Sequence, residues 1–180
     1  MNIVLTGFMA TGKSEVGKEL ARLLEMEFVD TDDLIEEKSE MKIPEIFAKK
    51  GEKYFRDVES QIAKEVGSYD NYVIATGGGI VLRQENIKAL KKNGKIINLT
   101  TSVEKILCRV SKSFGRPLLN VKDKKAEIEK LLAERKPYYK KCDFSFDTTE
   151  TTSVEAAKKI IKKLEWIGNM QSRIWRLCRL

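Results

Sequence analysis

Three groups of residues in this 180-residue chain have the types and spacing that chemistry needs. The first is Gly7-Phe-Met-Ala-Thr-Gly12-Lys13-Ser14, which fits G-x4-G-K-[ST]. Such a loop turns backbone N–H groups inward around phosphate oxygens, and the helix behind it adds unpaired N–H groups and the positive end of its dipole. Gly7, Ala10, Thr11, Gly12, Lys13, Ser14 and Glu15 are therefore the expected nucleotide-binding stretch, with Lys13 on the β- and γ-phosphates and Ser14 on Mg2+. The second group is Asp30-Thr-Asp32-Asp33. Mg2+ usually keeps several waters and takes only one or two carboxylates besides phosphate, a role open to Asp30 beside Ser14. Asp32 is placed to orient a substrate hydroxyl and accept its proton, while Asp33, three residues before Glu36, fits a helix capping box.

The third group is Arg56, Arg116 and Arg135. Each alone reads as a solvated or ion-paired side chain. As a set they meet a physical need, because guanidinium forks bind planar carboxylates and a migrating phosphoryl group wants a cation. Arg116 lies in Ser111–Lys125, a polar stretch with Gly115 and Pro117 that predicts an exposed, mobile loop, and its closure would exclude water and deliver charge to the γ-phosphoryl. Lys13, Asp32 and Arg116 are thus the expected catalytic groups. Gly77-Gly78-Gly79 allows close ligand approach and backbone N–H donation, or is a plain flexible turn.

Composition narrows the chemistry further. The chain has no histidine, which removes Ser-His-Asp and Cys-His nucleophile systems, HExxH zinc sites and histidine bases. Hydrophobic residues at 42% and charged residues at 34% fit one ordinary globular domain. The net charge of +7 is concentrated at the end: residues 151–180 carry seven cations and two anions, so most of the excess does not belong to the rest of the chain. Three cysteines, Cys108, Cys142 and Cys178, show no CxxC spacing and read as reduced thiols used for packing. No leader pattern and no long apolar segment appears, so a cytoplasmic protein is expected, without a membrane or nucleic-acid partner and acting as a monomer.

Short apolar runs at 2–6, 27–30, 72–76, 95–99 and 143–147 predict five strands. They alternate with helical patterns from Lys13 onward and at 33–40, 44–66 with a break near Gly51, 84–92, 102–113, 126–138 and 153–166. Strands interleaved with helices predict a three-layer α/β/α fold with right-handed crossovers. The phosphate loop, Asp30 to Asp33 and the triple glycine then all follow strands, at the edge where open α/β sheets bind ligands.

Taken together, Gly7–Ser14, Asp30-Thr-Asp32, Ile43 to Phe47 followed by Gly51-Glu52, Phe55-Arg56 with Glu59, Gly77–Gly79, Arg116-Pro-Leu-Leu119, and Arg135 with Pro137 and Tyr139 resemble the shikimate kinase family. The resemblance covers about residues 1–165. It implies a P-loop kinase fold with a five-stranded parallel sheet, a lid at about 111–125 and a helical substrate-binding region at about 31–61. It also implies ATP-dependent phosphorylation of the 3-hydroxyl of shikimate in aromatic amino-acid biosynthesis, with Mg2+. Asp32, Arg56, Gly77, Gly78, Gly79 and Arg135 would contact shikimate, Arg116 the transferring phosphoryl group, and Arg109 the adenine. Ile43, Phe47 and Phe55 would wall the substrate ring, although their spacing suits core packing equally well. Two features depart from the family: Ala10 stands where a further glycine is common, and the segment 166–180 runs past its usual end. Competing readings are another small-molecule P-loop kinase, acting on gluconate or nucleoside monophosphates, and a nucleotide-dependent binding module whose basic end contacts nucleic acid or membrane.

Overall fold

The computed structural model describes residues 1–111, 121 and 123–166. Five parallel strands, β1 (Asn2–Gly7), β2 (Glu27–Asp30), β3 (Tyr72–Ala75), β4 (Gly94–Thr100) and β5 (Phe144–Asp147), form one sheet in the order β2-β3-β1-β4-β5. The helices are α1 (Lys13–Leu24), α2 (Thr31–Ser39), α3 (Ile43–Val66), α4 (Gln84–Lys91), α5 (Val103–Ser111), α6 (Lys124–Tyr139) and α7 (Ser153–Trp166), with a 3-10 turn at Ile80–Leu82. This is the expected α/β architecture with its parallel sheet of five strands.

Every residue of β1 is buried, as befits a central strand covered on both faces. Its side chains alternate between two cores. Val4, with Ile74 of β3 and Ile96 of β4, faces the core that holds Ile46, Ile62, Leu90 and Ile128. Ile3 and Leu5, with Val73, Ile97 and Leu99, face the core formed with Val16 and Leu20 of α1 and Ala157 and Ile160 of α7. Helices therefore cover both faces, and the strands' carboxyl ends, with the loops that follow them, are left to form a site.

Two expectations are corrected. Asp33 does not cap α2. The cap is Asp30, whose side chain accepts from the Asp32 N–H at 3.0 Å, so the helix starts two residues earlier than the pattern at 33–40 suggested. Glu36, the other half of the expected box, instead accepts from the Ile43 N–H at 2.9 Å and from Lys42 Nζ at 2.7 Å, and these bonds tie α2 to the start of α3. Cys108 is not a packing residue: it is an exposed free thiol, because α5 buries Ile106 and Val110 and position 108 lies on the opposite side of the turn. Cys142 is a free thiol packed partly against the core. Cys178 and most of the segment 166–180 lie outside the described residues. Among the described residues no helix is long and apolar enough to cross a membrane.

Candidate active site

The phosphate loop leaves β1 at Gly7 and enters α1 at Lys13. Gly7 and Gly12 adopt φ of 141° and 90°, and Ala10 adopts 60°, so three positive-φ residues curl the backbone tightly. A methyl group on Gly7 would collide with the carbonyl oxygen of Leu99. The loop is held from three sides. Arg109 Nη1 donates to the Ala10 carbonyl at 2.7 Å, Thr148 Oγ1 donates to the Thr11 carbonyl at 2.9 Å, and Lys13 Nζ donates to the carbonyls of Gly7 and Phe8 at 2.9 and 2.8 Å. Arg109, expected against the base, grips the loop itself.

A cleft of about 540 Å³ opens over this loop. Of the expected residues, Ala10, Thr11, Gly12, Lys13, Ser14, Glu15, Asp30, Asp32, Gly78 and Arg109 line it. Thr148, Thr151 and Thr152, between β5 and α7, and Ser153, the first residue of α7, line it too. No motif marks these four. Only the run of five hydroxyl residues in Thr148-Thr-Glu-Thr-Thr-Ser153 after a predicted strand could have pointed to them.

Ser14 Oγ donates to Asp30 Oδ2 at 2.6 Å, while Asp30 Oδ1 is occupied by the α2 cap. The pair offers one hydroxyl and one carboxylate facing the loop. Among the described residues no group of three or more acidic, Cys or His side chains forms a dedicated metal cage. That donor set suits Mg2+, whose remaining positions go to water and phosphate oxygens, better than a cation that needs an all-protein shell.

Beside the cleft, the triple glycine follows β3 and brings the acidic and basic groups together. A methyl group on Gly77 would stand 2.6 Å from Asp32 Oδ1 and 3.1 Å from Glu59 Oε1, and one on Gly79 would collide with the Arg56 guanidinium. On its other side, a methyl on Gly78 would lie 3.2 Å from the Met9 nitrogen of the phosphate loop. The glycines are thus the shared wall between the phosphate loop and the Asp32, Arg56 and Glu59 cluster, where side chains would fill the space.

Arg56 is 8% exposed and pairs through Nη1 with Glu59 Oε2 at 2.8 Å and through Nη2 with Glu52 Oε1 at 3.0 Å. Burial works against its charge, but Glu59 and then Glu52 more than offset this and push the guanidinium pKa up. Burial also pushes the Glu59 carboxyl up, opposed mainly by Arg56 and also by Arg135 and Arg83. Glu59 is fully buried, and its Oε1 has no hydrogen-bond partner among the described residues. Sequence reading assigned it no role, since a glutamate three residues after an arginine on a helix is also an ordinary surface pair. Arg135 reaches the same cluster from α6, at 6% exposure and 5.8 Å over the Phe8 ring. Phe55 is buried and Phe47 half-buried, their ring centroids 4.9 Å apart, so both contribute to packing. Arg116 and most of 111–125 lie outside the described residues.

Comparison with known proteins agrees with this geometry. The family model for shikimate kinase matches residues 9–165. A shikimate kinase from Thermodesulfovibrio yellowstonii is 48% identical over 168 residues, covering 93% of this chain and 97% of the relative. One from Caldanaerobacter subterraneus subsp. tengcongensis is 47% identical over 161 residues, covering 89% and 94%. The solved structure of shikimate kinase from Acinetobacter baumannii in complex with shikimate superposes with a TM-score of 0.90 at 36% identity, covering 94% of this chain and 95% of that one. The chain belongs to the shikimate kinase family.

Proposed function

We propose that this chain transfers the γ-phosphoryl group of ATP to the 3-hydroxyl of shikimate, giving shikimate 3-phosphate and ADP in aromatic amino-acid biosynthesis. One observation carries the assignment of the site: the Gly77–Gly79 wall abuts both the phosphate loop and the Asp32, Arg56 and Glu59 cluster, and Asp32 itself lines the cleft over the loop. An acidic alcohol held by guanidinium groups therefore lies within reach of a bound triphosphate.

Each residue's place supports the role given to it. Arg56 and Arg135, buried and convergent, bind the substrate carboxylate. Glu59 and Glu52 fix the Arg56 fork and keep it charged. Asp32 orients the 3-hydroxyl and takes its proton as the oxygen–phosphorus bond forms and the bond from Pγ to the bridging oxygen of ADP breaks. The loop N–H groups and Lys13 hold the phosphates; for Lys13 this means turning from the Gly7 and Phe8 carbonyls toward phosphate oxygen. Ser14 and Asp30 would hold Mg2+, which would neutralise phosphate charge. In this reading Arg109 and the segment 148–153 border the nucleotide, Phe47 and Phe55 wall the substrate ring, and Arg116, outside the described residues, is assigned to the transferring phosphoryl group. In this reading the enzyme acts as a monomer. Its free thiols and its use of ATP support a cytoplasmic setting.

The test is ADP release in MgATP with shikimate, gluconate or a nucleoside monophosphate as acceptor. Only shikimate should support turnover. Arg56→Ala and Arg135→Ala should each raise KM for shikimate at least tenfold, on the order of one lost charge-assisted pair, with KM for ATP nearly unchanged. Equal weakening toward both ligands would remove the arginines from the acceptor site.

A further inference from the structure

We propose that Arg83 is a positioning residue for the acceptor site: its guanidinium clamps the chain leaving the glycine wall onto the turn of α3 that carries Arg56 and Glu59. This rests on the proposed function, in which Arg56 binds the substrate carboxylate. Arg83 stands between the 3-10 turn that follows Gly79 and the start of α4. Its Nη1 donates to the Arg56 carbonyl at 2.9 Å and to Ser60 Oγ at 3.1 Å, and its Nη2 donates to Asp57 Oδ1 at 2.7 Å. One planar fork therefore spans Arg56, Asp57 and Ser60, about one turn of the helix.

Arg56 is thereby held at both ends. Its guanidinium pairs with Glu59 and Glu52 and abuts Gly79, while its backbone carbonyl accepts from Arg83. A carbonyl oxygen has two lone pairs, so the bond from Arg83 adds to the helix bonding of α3 without displacing it. Both contacts come from the short stretch 79–83, which closes a loop from the glycine wall to the head of Arg56, along its side chain to its backbone, and through Arg83 back to the wall. The distance from the wall to the guanidinium fork is set by that closure.

The clamp acts where α3 lacks another polar anchor to this stretch. The second arm begins after the bend at Gly51, and its far end already packs on α4, where a methyl group on Gly67 would stand 2.7 Å from the Ala89 carbonyl oxygen. Val58 and Ile62 bury one face of the arm, but apolar contact is non-directional. Hydrogen bonds are directional, and those of Arg83 fix the rotation of the arm that aims Arg56. Ser60 is buried and Asp57 half-exposed, so the bonds to the carbonyl and the hydroxyl are the ones shielded from water. Arg83 also adds charge to the cluster: burial pushes the Glu59 carboxyl up, and Arg83 opposes this after Arg56 and Arg135.

The experiment is ADP release with MgATP and shikimate for the wild type, Arg83→Met, Arg83→Lys and Asp57→Asn. Arg83→Met keeps a stem and removes every donor; KM for shikimate should rise about three- to tenfold, while kcat and KM for ATP stay within about twofold. A purely structural loss would instead shrink the active fraction, lowering kcat with both KM values unmoved. Arg83→Lys keeps the charge, but one ammonium cannot span the helix carbonyl and Asp57, so it should follow Arg83→Met. Asp57→Asn removes only the outer charge and should leave both KM values within about twofold. An unmoved KM for shikimate in Arg83→Met would overturn the proposal. So would a wild-type KM in Arg83→Lys, which would leave only a charge effect on Glu59, or an Asp57→Asn variant as impaired as Arg83→Met, which would leave only the outer ion pair. No turnover of shikimate by the wild type would overturn the functional reading and this inference with it, whereas wild-type turnover with an unmoved KM in Arg83→Met overturns the inference alone.

Discussion

Ala10 sits at a φ of 60°, in the left-handed region that costs a residue with a Cβ roughly 1–2 kcal/mol. Its carbonyl is held by Arg109 at 2.7 Å, so the conformation is imposed by a bond that a glycine would make equally well. Ala10→Gly relieves the steric cost but frees the unfolded chain, and the two effects leave a net gain of about 0.5–1 kcal/mol. For a chain of this size that raises the melting temperature by roughly 1–4 °C, measurable by thermal unfolding followed by circular dichroism. No gain, or a loss, would mean that Ala10 makes contacts that repay its strain. The same residue shows how much a motif conveys. G-x4-G-K-[ST] locates the loop, and the resemblance marks Ala10 as a place where a further glycine is common, but the reason the backbone favours one there is apparent only once φ is known. Glu59 was harder still to assign, because its role depends on α3 turning it inward beneath the triple glycine.

At the scale of elements, α3 is two helical arms joined at Gly51, whose φ of 80° and ψ of 169° belong to glycine alone. The first arm carries Phe47 and the second Phe55 and Arg56, and the ring contact at 4.9 Å spans the bend. A methyl group at Gly51 would meet nothing within 4 Å, so space is no obstacle and the whole penalty of Gly51→Ala is conformational, about 1–3 kcal/mol. The variant should melt several degrees lower, and by re-aiming the second arm it should raise KM for shikimate more than KM for ATP; an unchanged melting point would show that the bend is not enforced. The bend was legible as a break near Gly51 in an otherwise apolar-periodic stretch. The strands were legible because a parallel sheet covered on both faces needs continuous apolar runs. The cap of α2 was not, since three acids crowd its start and local spacing favours Asp33 with Glu36. What decides the cap is long-range: β2 pairs with β3 as far as Asp30 opposite Ala75, so the helix must begin at once.

In the whole molecule, β1 sits between β3 and β4, so the chain departs from the central strand to both sides and leaves a crevice above it. The phosphate loop follows β1, Asp30 ends β2 with Asp32 just beyond it, and the glycine wall follows β3, three adjacent strands of one sheet. A site built this way holds two ligands side by side, each recognised by groups the other does not need. MgADP and shikimate should therefore stabilise the protein separately. At a concentration of 100 times Kd each contributes about 2.7 kcal/mol, or roughly 5–10 °C of melting temperature. Because the two ligands draw on different side chains, the combined shift should exceed either one alone. Gluconate in place of shikimate should give no shift. A combined shift no larger than the greater of the two would mean that both ligands compete for one cleft, and an ADP shift without a shikimate shift would assign the arginine cluster to a different acidic acceptor.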